Sequence, residues 1–324
     1  LDITSMLAVS LFPVLHQSSH RESNYCFKVC HLNLITSLFS WLLKVGVPLN
    51  GLVVWALGLR SHRHLVSFRV YVLNLAIADL VLVLRTPLML GYLAHKYSWP
   101  FGRGFCHLIM FLRGLGLYAS AFLLCAVALE RCLCLLRPVW ARLRRPSWAV
   151  PLACGILWLV ATVLSAPYFY TAVLRESNGT YHCLESGQFN MGLFLTETVA
   201  GFILPLLVFL GSNLAVLLTI KQMTRMYHVL FFTMLLFLTC WVPYFVCRFL
   251  RALAKEQYKP IVYGTYISLY LVYIKSALNP VLYVFAARGL GRAIKASVVS
   301  TVERLFNDDS MESIRRKSLK NSQM

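Results

Sequence analysis

Residues 70–84 read VYVLNLAIADLVLVL, an apolar run that contains one acidic residue, Asp79. A charge in hydrocarbon is costly, so an ionisable residue inside such a run usually faces the interior of a helix bundle and marks function. Six more long apolar runs follow or precede this one, and nearly all carry a polar or kinking residue at membrane depth. The order of these residues indicates a membrane protein with a functional interior.

Composition supports a chain that lies almost wholly in a membrane. Of 324 residues, 59% are hydrophobic and only 13% are charged. A bilayer span needs ~20 apolar residues, and in lipid it must be helical because open strand edges leave backbone groups unsatisfied. We therefore predict an all-α membrane protein with a seven-transmembrane helix bundle, whose spans cover residues 33–59, 67–93, 104–135, 148–170, 190–220, 226–250 and 260–285.

The net charge of +19 is better explained by membrane topology than by nucleic-acid binding. The predicted loops of one side carry a series of basic residues: Arg60, Arg63, Arg69, Arg137, Arg142, Arg144, Arg145, Arg288, Arg292 and Lys295. The positive-inside rule places this side in the cytoplasm. We expect an extracellular N-terminal region over residues 1–32, the bundle over 33–285, and insertion in the plasma membrane with the first span as its own signal, since residue 1 is Leu and no cleavable signal is evident.

Four features are expected on the extracellular side and in the cytoplasmic tail. Cys106 and Cys183 both fall outside the membrane in an oxidising compartment, which predicts a disulfide, whereas Cys26 and Cys30 could pair or stay free. Asn178-Gly179-Thr180 is a glycosylation acceptor sequence. Residues 286–324 are expected to form a short amphipathic helix eight on anionic membrane lipids, near 287–303, and a tail. Its candidate phosphorylation sites are Ser310, Ser313 and Ser318, with a solvated disordered tail as the alternative.

Several polar and kinking residues recur inside the later spans. Glu130 and Arg131 lie at the cytoplasmic end of the third span, where the carboxylate could hold the guanidinium until a partner displaces it. Trp241 stands two residues before Pro243, and a bulky aromatic beside a proline kink makes a plausible pivot. Asn279-Pro280 and Tyr283 occupy the seventh span, where Asn can satisfy the backbone groups that the proline frees.

Together these residues resemble the rhodopsin-like (class A) G-protein-coupled receptors. The matching positions are, in chain order, Asn50, residues 74–79, Glu130-Arg131-Cys132, Trp158, Pro205, residues 240–243 and residues 279–283. Residues 117–124 and 137–140 are similar to the chemoattractant branch, which includes prostaglandin D2 type-2 and formyl-peptide receptors; residues 197–205 and 279–285 look most like leukotriene B4 receptors. The resemblance implies a receptor that signals through a heterotrimeric G protein of the inhibitory class and recruits arrestin, with Glu130, Arg131, Trp241, Pro243, Asn279, Pro280 and Tyr283 as its activation switch.

The resemblance also implies an ion site, and this chain departs from it. Relatives bind sodium around Asp79, Ser120, Asn279 and a further polar residue one turn before Asn279. Here that residue is Lys275, which shares a helix face with Asn279 at a spacing of four. We expect its ammonium to neutralise Asp79 as a built-in cation, so that no cofactor is needed. The alternative is that Lys275 turns elsewhere.

The extracellular half of the bundle is unusually basic. The expected ligand-binding residues are Arg85, Arg113, Tyr118, Glu197, Arg248 and Arg251. Guanidinium binds carboxylate in a bidentate manner, and Phe194, Phe245 and Tyr266 could add apolar walls. An anionic lipid or a short peptide with a free C-terminus fits this pattern. Two alternatives stay open: the arginines could be paired internally, and Glu197 could pair with one of them instead of meeting ligand.

Two departures bear on signalling. The hydrophilic break between the fifth and sixth spans is only residues 221–226, and Asn213 stands where most relatives have a tyrosine that helps to hold the active state. A non-signalling decoy receptor would explain both. A transporter would show internal repeats or interrupted helix pairs, which the sequence lacks, and no nucleophile–base or metal-ligand pattern indicates an enzyme.

Overall fold

The computed structural model describes residues 36–58, 67–185, 190–219, 225–253 and 259–286. These residues form seven long helices: α1 (Thr36–Gly58), α2 in two segments (Ser67–Val83 and Thr86–Ala94), α3 (Gly102–Leu136), α4 (Ala149–Thr171), α5 (Met191–Thr219), α6 (Arg225–Leu253) and α7 (Lys259–Ala286). By length and composition, α1 to α5 can each cross a membrane, and α6 contributes a shorter apolar stretch at Leu235–Leu250. The predicted seven-helix architecture is confirmed.

The helix ends lie close to the predicted ones. The third span was expected at 104–135 and runs over Gly102–Leu136, and the sixth was expected at 226–250 and runs over Arg225–Leu253. Several expected features lie outside the described residues: Cys26, Cys30, residues 221–224, helix eight at 287–303, Ser310, Ser313 and Ser318. The side chains of Arg251, Tyr266 and Tyr283 also lie outside the described part.

The helix α3 is at the centre of the bundle and packs against α2, α4 and α5, while α7 packs against α6, α1 and α2 and so closes the ring. Two glycines permit the close approach of α3 to its neighbours. A Cβ atom at Gly116 would lie 2.5 Å from Cγ of Leu82 in α2, and one at Gly114 would lie 2.9 Å from Cδ2 of Tyr168 in α4. The bundle therefore depends on small residues at these crossings.

Prolines set the irregular parts of two helices. The π-helical turns Leu42–Gly46 in α1 and Val199–Ile203 in α5 lie immediately before Pro48 and Pro205. A proline lacks the N–H that would continue the helical hydrogen bonding, and local widening lets the freed carbonyl groups find other donors. In α5 this turn begins two residues after Glu197 and thereby positions it relative to the rest of the helix.

A break in α2 aims Arg85 into the bundle. The first segment ends at Val83 and the second begins at Thr86, with Arg85 in the turn between them. Pro87 stands in the first turn of the second segment, where its missing N–H costs no hydrogen bond. Because the break lies within the bundle, the Arg85 side chain is buried.

A β-hairpin covers one end of the bundle. Strands β1 (Val173–Ser177) and β2 (Thr180–Leu184) pair antiparallel, and Asn178 and Gly179 form the turn with φ of 51° and 75°. Asparagine and glycine are the residues that such two-residue turns favour. The predicted disulfide between Cys106 and Cys183 is present and ties β2 to the start of α3. We call this end of the bundle the disulfide side, and the other end the Arg131 side.

We predict that Gly116→Ala destabilises the protein by about 1–3 kcal/mol, because the added methyl group would overlap Leu82 and force α2 from α3. The measurement is the midpoint of thermal unfolding (Tm) of detergent-solubilised protein. Gly155→Ala is the matched control, since Gly155 in α4 has no atom within 4 Å of an added Cβ. Equal Tm values for the two variants would contradict the close packing of α2 and α3.

Candidate functional site

A cluster of charged and phenolic side chains lies inside the bundle on the disulfide side. Its centre is the carboxylate of Glu197 in α5. Nη2 of Arg113 in α3 donates to both carboxylate oxygens, at 3.2 and 3.4 Å. The hydroxyl groups of Tyr168 in α4 and Tyr244 in α6 donate to it at 2.7 and 3.1 Å. Glu197 is buried, so these partners replace the water that its charge has lost.

A second arginine and a second carboxylate complete this cluster. Nη2 of Arg248 in α6 lies 2.6 Å from Oε2 of Glu197 and 3.0 Å from Oε1 of Glu185. Nη1 of Arg113 also donates to Glu185, which follows β2. Each arginine therefore contacts both carboxylates. The side chain of Glu185 is 28% exposed, compared with 4% for Glu197, so the two carboxylates differ mainly in their access to solvent.

The environment of Glu185 favours its ionised form. Burial by itself would raise the pKa of this carboxyl, but the charges of Arg113 and Arg248 lower it below the ordinary value. A carboxyl whose folded-state pKa is depressed stabilises the protein above its unfolded pKa of about 4.3, and this stabilisation is lost as the pH falls through the folded-state value. At neutral pH the Glu185 carboxylate is therefore ionised and faces the guanidinium groups of Arg113 and Arg248.

Arg85 lies beside this cluster and has a different kind of partner. Its Nη1 donates to the hydroxyl of Tyr273 in α7, and its guanidinium lies over the same ring at 5.9 Å. Its Nε is buried and has no hydrogen-bond partner among the described residues. Arg85 is 6% exposed and lies within electrostatic range of Arg113 and Glu185. Its positive charge is therefore not balanced by a carboxylate in direct contact.

Three of the six expected ligand-binding residues, Arg113, Glu197 and Arg248, contact one another in the structure. Arg85 lies beside them. Arg113 and Arg248 were expected to bind ligand, with internal pairing as the alternative, and in the structure both are paired with carboxylates. Glu197 pairs with both arginines, which is the second of the two options that the sequence left open. Of the expected arginines, only Arg85 among the described side chains keeps an unbalanced charge.

Aromatic side chains form the floor of this region. Tyr118 is buried against Gly201, Phe122 and Tyr168, and its hydroxyl has no hydrogen-bond partner among the described residues. Phe202 of α5 stacks on Phe245 of α6, with ring centroids 4.4 Å apart. The walls between the charged cluster and the bundle centre are therefore apolar, as expected for Tyr118 and Phe245.

Trp241 lies at the centre of an aromatic stack in α6. Its ring stands between those of Phe237 and Phe245, with centroid distances of 5.5 and 5.9 Å. Pro243 lies inside α6 and Pro280 inside α7, where each removes a backbone hydrogen bond. The expected pivot residues are thus inside the bundle and packed.

The expected ion site contains a well-bonded carboxylate. Asp79 of α2 accepts a hydrogen bond from Ser120 of α3 at 3.0 Å and one from Asn279 of α7 at 2.7 Å. All three side chains are fully buried. This carboxylate therefore joins three helices, and three of the four residues that the resemblance assigns to one site are in contact.

Lys275 is buried between this carboxylate and Trp241. Its ammonium lies 5.5 Å from the centroid of the Trp241 ring and close enough to Asp79 for their charges to attract. It makes no hydrogen bond within the part of the chain that the structure describes, and no ion pair with Asp79 within 4 Å. The sequence left two alternatives, that Lys275 neutralises Asp79 or that it turns elsewhere. In the structure the ammonium turns toward Trp241 and stays within electrostatic range of Asp79.

On the Arg131 side, the predicted pairing of Glu130 with Arg131 is wrong. The carboxylate of Glu130 accepts hydrogen bonds from Arg145, at 2.5 and 2.9 Å, which raise the pKa of Arg145, while the guanidinium of Arg131 lies 4.8 Å above the ring of Phe68. Consecutive residues on a helix point about 100° apart, so neighbours in sequence do not face each other. Arg145 follows the π-helical turn Trp140–Arg144 and approaches Glu130 from the loop.

Sequence reasoning missed five residues that complete these sites: Glu185, Tyr168, Tyr244, Tyr273 and Arg145. A signal existed for Glu185, because it follows Cys183 by two residues and the disulfide holds it near α3. A signal existed for Tyr244 as well, since it is adjacent to Pro243 and one turn before Arg248. The other three were hidden, because tyrosines in apolar spans and arginines in basic loops carry no distinguishing pattern.

Sequence comparison decides the family. The family described as "7 transmembrane receptor (rhodopsin family)" matches residues 49–283, most of the chain. The chain belongs to the rhodopsin-like receptors. They are signalling receptors of the plasma membrane and not enzymes, so the expected receptor class and multi-pass membrane location are confirmed.

Curated relatives place the receptor near the chemoattractant branch. The Type-1 angiotensin II receptor A of Xenopus laevis is 30% identical over 273 residues, which cover 78% of this chain and 75% of the relative. The C3a anaphylatoxin chemotactic receptor of Danio rerio is 27% identical over 289 residues, covering 87% and 79%. Formyl peptide receptor-related sequence 1 of Mus musculus is 30% identical over 301 residues, covering 82% and 83%.

We predict that Glu197→Gln destabilises the receptor by about 3–5 kcal/mol, because it leaves the buried Arg113 and the partly buried Arg248 without a central counter-charge. Glu185→Gln should cost less than half as much, since Glu185 is more exposed and water can replace part of its interaction. Thermal unfolding of the two purified variants at pH 7 gives the comparison. A larger loss of Tm in Glu185→Gln would show that the centre of the cluster is misassigned.

Proposed function

We propose that this receptor recognises a chemoattractant that carries one acidic group and that this group binds near Arg85. The observation that supports the proposal is the charge balance of the buried cluster. Among the described side chains, Arg113 and Arg248 contact the carboxylates of Glu185 and Glu197, whereas Arg85 contacts the hydroxyl of Tyr273, which leaves one positive charge without a counter-charge. A single anion would balance it, and guanidinium is suited to carboxylate.

The first candidate ligand is a carboxylate lipid mediator of leukotriene B4 type. One carboxylate on an apolar chain matches one unbalanced guanidinium above apolar walls such as the Phe202–Phe245 stack. Residues 197–205 and 279–285 also look like leukotriene B4 receptors. The second candidate is a short peptide with a free C-terminus, favoured by the similarity to a formyl peptide receptor.

We further propose the orientation and the signalling partners. The disulfide side is extracellular, with Asn178 exposed in the hairpin turn as a glycosylation site, and the Arg131 side faces the cytoplasm. Ligand binding shifts the population of the bundle toward a state in which α6 moves about Trp241 and Pro243. Arg131 then engages a G protein of the inhibitory class, and the phosphorylated tail recruits arrestin.

A decoy receptor remains the second candidate function, because of one specific position. Asn213 of α5 is buried, and its amide group donates to the carbonyl of Phe209 at 2.7 Å. The side chain is thus occupied within its own helix and does not reach across the bundle as a tyrosine could. Ligand uptake without G-protein dissociation would favour this second function.

The experiment is a screen with leukotriene B4 and with formylated and unformylated short peptides, each with a free or an amidated C-terminus, read by G-protein dissociation and arrestin recruitment. For any active probe, we predict that Arg85→Gln lowers potency at least tenfold, because a charge-assisted hydrogen bond contributes about 1.5–3 kcal/mol. Arg85→Lys should lose less, since it keeps the positive charge.

Arg103→Gln is the matched control for this experiment, because Arg103 is an exposed arginine at the same end of the bundle and contacts only His107 among the described residues. Its potency should equal that of the wild type once cell-surface expression is measured for each variant. If Arg85→Gln responds like Arg103→Gln to every acidic probe, the proposed anchor is wrong. Loss of activity on amidation would assign the peptide class.

We also propose that Lys275 takes the place of a sodium ion beside Asp79. What supports the proposal is that the amino group of Lys275 is buried within electrostatic range of Asp79, which Ser120 and Asn279 already bond. Two like charges near one carboxylate would repel each other.

From this we predict that replacing choline chloride with sodium chloride leaves the Tm of the wild-type receptor unchanged and raises that of Lys275→Asn. The substitution removes the built-in charge and supplies an oxygen ligand, so sodium gains a site. Lys44→Asn, at an exposed lysine of α1, should behave like the wild type. An equal sodium response in the wild type and in Lys275→Asn would refute the replacement.

A further inference from the structure

Glu185 differs from the other buried charges because it belongs to a loop. It lies two residues after Cys183, which the disulfide joins to the first turns of α3. Its backbone carbonyl accepts a hydrogen bond from the hydroxyl of Thr171, at the end of α4, at 3.1 Å. The segment after β2 therefore places this one carboxylate inside the bundle, at its disulfide side.

The two carboxylates of the cluster have unequal support. Glu197 contacts Arg113, Arg248, Tyr168 and Tyr244 and is 4% exposed. The carboxylate of Glu185 contacts only the two guanidinium groups among the described residues and is 28% exposed. Glu197 is thus a fixed part of the bundle, whereas the Glu185 carboxylate meets the arginines from the solvent side.

We propose that Arg113 and Arg248 form an anion-binding site that the receptor's own Glu185 occupies, and that an external carboxylate can exchange with it. This inference goes beyond the proposed function, because it holds whether or not Arg85 anchors a chemoattractant. The two guanidinium groups present one donor each to opposite oxygens of the Glu185 carboxylate. A free carboxylate of the same shape can accept the same two bonds.

The position of Arg248 gives this exchange a consequence for α6. Arg248 lies five residues after Pro243 and connects α6 to the loop through Glu185 and to α5 through Glu197. When an external carboxylate replaces Glu185, α6 keeps its bond to α5 and is released from the covering loop. Glu185 therefore acts as a tethered counter-ion that holds α6 to the hairpin segment.

The test is chemical rescue in the purified full-length receptor. Glu185→Ala should lower the Tm by about 3 °C or more, since two arginines lose a shared partner. Replacing chloride with acetate, at constant sodium and ionic strength, should restore more than half of this loss and saturate in the millimolar range. The wild type should show a smaller acetate response than Glu185→Ala, because its own carboxylate occupies the site between Arg113 and Arg248.

Two further variants make the result specific. Glu176→Ala removes an exposed glutamate from β1 of the same hairpin, so neither its Tm nor its acetate response should differ from the wild type. Glu185→Ala combined with Arg248→Gln removes one of the two donors and should abolish the rescue. The proposal is overturned if acetate stabilises Glu185→Ala no more than the wild type, or if the double variant responds as strongly as the single one.

The experiment stays decisive if Glu185→Ala is too unstable to purify in chloride. Membranes are then solubilised in parallel in acetate and in chloride, and the yield of folded receptor is compared. Recovery in acetate alone supports exchange of the carboxylate. Equal failure in both salts contradicts it.

Discussion

The carboxylate of Glu197 is the point at which four helices meet. It lies in α5 and is bonded by Arg113 of α3, Tyr168 of α4, and Tyr244 and Arg248 of α6. A buried charge that loses one partner costs more than the pair contributes, so each of these groups constrains the others. The relative positions of α3 to α6 on the disulfide side depend on satisfying this one negative charge.

The same requirement organises the rest of the bundle. Asp79 joins α2 to α3 through Ser120 and to α7 through Asn279. The remaining helix, α1, is linked to α7 by Asn50, whose amide donates to the backbone carbonyl of Ser276 at 3.1 Å. All seven helices are therefore connected by buried polar groups, which act together with close packing to hold helices in a membrane, where hydrophobic burial gives no driving force between them.

The balance of charges in the buried cluster links the packing of the helices to the recognition of an acidic ligand. A pocket whose charges were fully paired could bind an anion only by exchange with one of its own carboxylates, and a pocket of free arginines would be unstable without an anion. Here the carboxylates of Glu185 and Glu197 neutralise Arg113 and Arg248, and the charge of Arg85 is left beside the neutral hydroxyl of Tyr273. The site is stable when empty and keeps attraction for one acidic group.

Much of the fold was predictable, because hydrocarbon imposes simple rules on a sequence. The membrane spans followed from apolar length, and the disulfide of Cys106 with Cys183 followed from the oxidising compartment. Backbone chemistry predicted the loss of a helical hydrogen bond at the prolines 205, 243 and 280. The contact of Asp79 with Ser120 and Asn279 was also expected, because the family resemblance places these three positions together. The partner of Glu130 was not predicted, because it is Arg145, which reaches Glu130 from a loop.

By itself the sequence determined a bundle of seven membrane-spanning helices with charges inside it, because charge and apolar length are properties of each segment alone. The order of its motifs then indicated the receptor family. Only the tertiary structure decided which charges neutralise one another. Pairing depends on the direction and reach of side chains from different helices, as when the loop carboxylate of Glu185 meets arginines of α3 and α6. For that reason the arginine that stays unbalanced, Arg85, could not be told from its neighbours until the helices were packed.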